Sequence, residues 1–170
     1  MDLINLSKLR RALIYIFILV LVFMVQSILI PLMPIAGVKA MIIPIAVVCI
    51  ALFENASWGA FFGLFIGYWC DQLLPETTVM CMLLFSVMGF AVGLLGEFSL
   101  RKGLLTAFVL SVLAMLIMAF CQSFSILFFT STRFWPVFKT CFLQVLWGVP
   151  FIFAIFYPCR AVAAVDMYIT

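Results

Sequence analysis

The sequence predicts an all-α integral membrane protein, one membrane domain over residues 1–170 with about six transmembrane helices. Three observations carry this. First, 69% of the residues are hydrophobic and 9% charged, against about 25% charged in ordinary soluble domains. Second, apolar runs approaching the roughly 20 residues needed to cross a bilayer follow one another with short polar or proline-containing turns between them. Third, glycines recur at four-residue intervals in two neighbouring runs, a spacing that lets membrane helices approach closely.

The first run, residues 12–30, follows Lys8, Arg10 and Arg11. It is longer than the 7–15 residues of a secretory h-region, so it reads as an uncleaved first span, stopped by Pro31 and Pro34. After a turn-rich loop to Lys39, span two covers residues 40–53. Fourteen helical residues reach only about 21 Å of a roughly 30 Å core. A half-depth or re-entrant helix is therefore the alternative for this segment, and it would invert the sidedness of everything that follows. Spans three and four, 58–74 and 79–95, are joined by a short turn and should be antiparallel neighbours. Span five covers 103–122. A long aromatic connection, residues 123–137, leads to span six at 138–157, which Gly148 and Pro150 are expected to kink and Pro158 to end.

With six crossings, Lys8, Arg10, Arg11, Arg101, Lys102 and Arg160 share one side, and Lys39, Arg133 and Lys139 the other. The positive-inside rule then puts both termini in the cytoplasm.

There is no histidine, which removes imidazole acid–base chemistry, Ser-His and Cys-His nucleophile pairs and histidine metal ligands. The six cysteines form no Cys-x-x-Cys and read as small buried thiols. Cys70 and Cys81 fall near one membrane face. Phosphate loops, nucleotide fingerprints and zinc spacings are absent, so no cofactor, metal or nucleic acid is expected.

The polar residues inside apolar runs are few. Gly59, Gly63 and Gly67 step by four, and Asp71 takes the next step. On a helix these four line one face. Span four carries Ser86, Gly89, Gly93 and Gly96, mainly on one stripe, and the two stripes are expected to face each other. Asp71 sits at the C-terminal end of its helix, where the dipole disfavours a carboxylate. It needs a partner: Lys39 on the same side, or a ligand or partner protein. A proton relay is disfavoured, since no second membrane carboxylate stands at related spacing. Gln26 and Gln144 are candidates for interhelical hydrogen bonds, and Glu97 with Arg101 for a surface pair.

Gln26-Ser27, the loop Pro34-Ile35-Ala36-Gly37-Val38-Lys39, Gly59-x3-Gly63-x3-Gly67-x3-Asp71 and Gly89-x3-Gly93 together resemble the rod shape-determining MreD family, in order and spacing, over about residues 12–105. The family often has Pro-Asp after its Gly-Val-Lys-like loop; here Ala40-Met41 stand instead, leaving Lys39 and Asp71 as the polar pair. The resemblance implies an S-component-like helical bundle acting as a non-enzymatic scaffold of the bacterial inner membrane. It implies a bitopic MreC-like partner, with MreB, RodA and a penicillin-binding transpeptidase engaged directly or indirectly in lateral peptidoglycan synthesis. Gly59, Gly63, Gly67, Asp71, Gly89, Gly93 and Lys39 are then candidates for partner binding or helix packing. The partner's helix would dock on an outward flank lined by Lys39, Asp71 and the Arg133–Trp135 loop. The alternative is a substrate-binding S-component of an energy-coupling-factor vitamin transporter. Some of these share the glycine–aspartate helix, but the turn from Pro75 to Val79 is short for a ligand loop, and span one lacks a clear Ala-x3-Ala docking motif.

Overall fold

A computed structural model of the chain describes residues 3–32, 40–73, 80–98, 103–129 and 134–165. These form six helices. The first, α1, runs Leu3–Met24 and continues through a π-helical turn, Val25–Leu29, into a last turn, Ile30–Leu32. The others are α2 (Ile43–Phe53), α3 (Ala56–Leu73), α4 (Cys81–Phe98), α5 (Leu104–Phe129) and α6 (Phe134–Val165). Three stretches, Leu9–Leu32, Leu104–Ser123 and Phe138–Ala164, are long and apolar enough to cross a membrane. The protein is an all-α membrane protein.

The centre of the bundle is α2. Every residue from Ile43 to Leu52 is buried, and the helix packs against all five others. Its sequence contains no polar side chain, and a helix apolar on all sides is stable only where all sides are covered. Pro44 stands in its first turn, where the missing N–H has no intrahelical partner to lose.

At 11 residues α2 is only about 16 Å long, yet it returns the chain to the face where α1 begins. Its C-terminal end carries Glu54, which meets Arg11 of α1 at 3.2 Å. Its N-terminal approach is fastened to the far end of α1. There Gln26 donates from Nε2 to the Ala40 carbonyl at 2.8 Å and accepts from the Ile42 N–H at 2.7 Å. Helix α2 therefore runs antiparallel to α1, from one end of the bundle toward the other. Arg11, Glu54 and Glu97 mark one end of the bundle; Gln26, Asp71, Cys81 and Gln122 mark the other. Gln122 lies 3.5 Å from the Met41 sulfur, and Arg10 and Arg11 of α1 adjoin Ala161 and Val162 of α6.

Three helices differ in extent from the sequence expectation, and the first is α1, which begins at Leu3 and passes Pro31 to end at Leu32. Helix α5 continues to Phe129, into what reads as connection, and α6 begins at Phe134 and runs through both Pro150 and Pro158 to Val165. A proline removes one N–H and crowds one carbonyl, but membrane helices absorb both when neighbouring groups re-satisfy the backbone. Pro158 therefore does not end the helix, and Cys159 and Arg160 belong to it. Gly148 lets α6 sit against α5, since a β-carbon there would lie 2.5 Å from the Met115 sulfur.

Gln26→Leu leaves the Ala40 carbonyl and the Ile42 N–H without their partner, at roughly 1–3 kcal/mol for each buried group. Gln144→Leu, on α6, is expected to change stability by no more than about 0.5 kcal/mol. Thermal unfolding in detergent checks the contrast; equal losses would contradict the clamp.

Candidate functional site

The residues singled out from the sequence converge on the α3–α4 pair. The two helices run antiparallel and touch backbone to backbone. A β-carbon on Gly59 would lie 2.5 Å from the Gly89 carbonyl oxygen, and one on Gly89 would strike the Gly59 carbonyl in return. Gly63 faces the Phe85 carbonyl and Gly67 the Met82 backbone, both too close for any side chain, and a β-carbon on Gly93 would stand 2.5 Å from the Ala56 Cα. The groove cut by these glycines is filled by the chain itself. Gly96 is different. Its nearest neighbour is the Leu52 carbonyl of α2, 3.1 Å from the β-carbon position, so it leaves the stripe and faces the centre.

Asp71 closes one end of this contact. Its Oδ1 accepts from the Cys81 N–H at 2.9 Å and its Oδ2 from the Met82 N–H at 3.0 Å. These are first-turn groups of α4, which have no carbonyl within their own helix to bond. The carboxylate sits at the unfavourable end of its own helix dipole and at the favourable end of its neighbour's. Lys39, the partner expected from sequence, lies outside the described residues, as does Arg133. The outward flank that these two were expected to form with Asp71 is likewise outside the description.

Glu97 closes the other end in the same way. Its Oε1 accepts from the Ala56 N–H at 2.8 Å, the first residue of α3. Each helix thus uses a carboxylate at its C-terminal end to cap the N-terminus of the other. Glu97 is expected from sequence to form a surface pair with Arg101, which lies outside the described residues. Its role was nevertheless written in the spacing: Gly89, Gly93 and Glu97 repeat the four-residue steps of Gly63, Gly67 and Asp71. Glu97 is the second carboxylate at related helical spacing, and it serves as a cap.

A second polar cluster went unread in the sequence. At the opposite end of the bundle from Asp71, the Arg11–Glu54 pair is accompanied by Tyr15, whose ring meets Phe62 edge-on at 5.8 Å. Phe62 in turn stacks with Trp58 at 5.7 Å. The only advance sign was a carboxylate in the tight connection between spans two and three.

All six cysteines are free thiols, Cys70 and Cys81 included. Among the described residues no three metal-ligating side chains gather. No protein-family model, no curated protein and no solved structure matches this chain.

Replacing Gly63 by alanine forces α3 and α4 apart and is expected to destabilise the protein by roughly 1–3 kcal/mol, as overpacking does. Gly96→Ala should be milder. Asp71→Ala and Glu97→Ala should each remove roughly 0.5–2 kcal/mol. Because the caps sit at opposite ends of the helix pair, their effects should add to within about 0.5 kcal/mol. Denaturant titration in mixed micelles measures all four; strong coupling between the two caps would contradict independent capping.

Proposed function

We propose that this chain is a non-enzymatic scaffold of the bacterial inner membrane, an MreD-like component of the cell-elongation machinery. The observation that carries this reading is how its polar residues are used. Gln26, the glycine steps and Asp71, which carry the resemblance, are all engaged in architecture. Gln26 fixes the return of the chain, the glycines seat α3 on α4, and Asp71 caps α4. A scaffold needs a rigid shape that presents surfaces to partners, and these residues supply rigidity.

The same geometry redirects partner docking. The glycine face is covered by α4, so an MreC-like single-span partner would meet the outer apolar faces instead. On α1 these present Leu13, Phe17, Leu21 and Ile28. It also weighs against the transporter alternative, because the glycine–aspartate helix turns its motif toward α4 and away from any ligand space. Arg10, Arg11 and Arg160 gather at the end shared by both chain termini, and we place that end in the cytoplasm on the positive-inside rule.

Affinity purification of the tagged chain from its native membrane in mild detergent tests this. Recovery of a bitopic MreC-like protein with RodA or the transpeptidase is the expected result. Recovery of paired ATPases with a transporter-type membrane subunit would contradict it.

A further inference from the structure

The Arg11–Glu54 pair lies in the wall of a cavity of about 190 Å³ between α1, α2 and α3. The cavity is lined by Arg11, Tyr15, Glu54, Asn55, Trp58 and Phe62, with Ala12 and Phe53. That volume is well above the roughly 10–15 Å³ that admits one water and below the roughly 300 Å³ at which pockets for drug-sized molecules begin. It has the scale of a small polar group.

The lining is built for a group carrying both signs of charge. One cation and one anion stand 3.2 Å apart, the arginine side chain 25% and the glutamate 12% exposed. The Tyr15 side chain is 1% exposed, and its hydroxyl faces the Glu54 carboxylate without a hydrogen bond of ordinary length. A buried hydroxyl without a full hydrogen bond is unfavourable, so a ligand that supplies one is favoured. Trp58 stands at the rim, 38% exposed, where an indole suits the headgroup layer and its face attracts a cation. Through Arg11 the cavity adjoins a second concavity formed by Arg10 and Ile14 of α1 and Ala161 and Val162 of α6. Apart from its arginines that concavity is apolar, as an acyl chain requires.

We propose that this cavity binds the phosphoethanolamine headgroup of a zwitterionic phospholipid, with an acyl chain lying along the α1–α6 seam. The phosphate takes N–H groups of Arg11 and the hydroxyl of Tyr15. The primary ammonium lies between the Glu54 carboxylate and the Trp58 ring. An anionic headgroup would meet Arg11 equally well but would bring no cation of its own to the Glu54 carboxylate. The Arg11–Glu54 pair therefore selects a zwitterion rather than any phosphate.

Native mass spectrometry of the full chain, titrated with phosphatidylethanolamine or phosphatidylglycerol, tests the site. One phosphatidylethanolamine is expected to bind per chain, about tenfold more tightly than phosphatidylglycerol, as one charge-assisted contact provides. Tyr15→Phe removes only the hydroxyl; it should keep wild-type thermal stability and weaken phosphatidylethanolamine about tenfold. Glu54→Gln should abolish the preference, and if that variant fails to fold, Tyr15→Phe carries the test. Soluble glycerophosphoethanolamine identifies the source: displacement of the lipid shows that the cavity takes the headgroup from either, and retention shows that it requires the lipid. Equal binding of the two lipids, or an unchanged phosphatidylethanolamine affinity in Tyr15→Phe, would overturn the proposal and leave a water-filled cavity.

Discussion

Two carboxylates hold the α3–α4 pair at its ends, and the rest of the bundle is arranged around that closed unit. The underlying constraint is the solvent. Ala56 and Cys81 are shut off from it, so the first N–H groups of α3 and α4 must be bonded from within the protein. Asp71 supplies acceptors for α4 and Glu97 for α3, each reaching across to the helix beside it. Such reach requires the two axes to be close, and closeness requires glycine. Any side chain at Gly59, Gly63, Gly67, Gly89 or Gly93 would meet backbone. The caps and the glycines thus depend on one another, which is why both helices carry them at the same spacing.

Against this unit the fully apolar α2 finds its place. A helix of 11 residues is too short to span a hydrocarbon core of about 30 Å. It survives at the centre because its ends are tied to α1, by Gln26 at one end and by the Arg11–Glu54 pair at the other. The π-helical turn that contains Gln26 adds a residue to one turn of α1, a feature common at functional positions. Here the glutamine it carries bonds a backbone that has not yet become helical.

Much of this was legible in the sequence. The apolar runs predict six helices because burial in lipid leaves few other solutions, and the four-residue steps mark the face where α3 meets α4. Three things were not legible. For Asp71 the sequence points to Lys39, a ligand or a partner protein, because a lone carboxylate in an apolar run needs a counterpart; the helix N-terminus that it caps is a backbone feature that no residue type marks. The cap made by Glu97 is not suggested by Arg101 four residues on; its spacing from Gly89 and Gly93 is the guide. Pro158 was read as a stop, a rule that holds where water competes for the freed carbonyl and weakens where neighbouring helices surround it. The Arg11, Tyr15 and Glu54 cluster joins residues far apart in the chain, and only the antiparallel return of α2 brings them together.

Reciprocal capping is the central claim, and amide hydrogen exchange at the first-turn residues addresses it most directly. First-turn amides of a helix usually exchange fast, since they lack intrahelical partners. Here the Ala56, Cys81 and Met82 amides should be protected in the wild-type protein. Asp71→Ala should expose Cys81 and Met82 and spare Ala56, and Glu97→Ala should do the reverse. Fast exchange at these amides in the wild type, or loss of protection at both ends in either variant, would contradict the account.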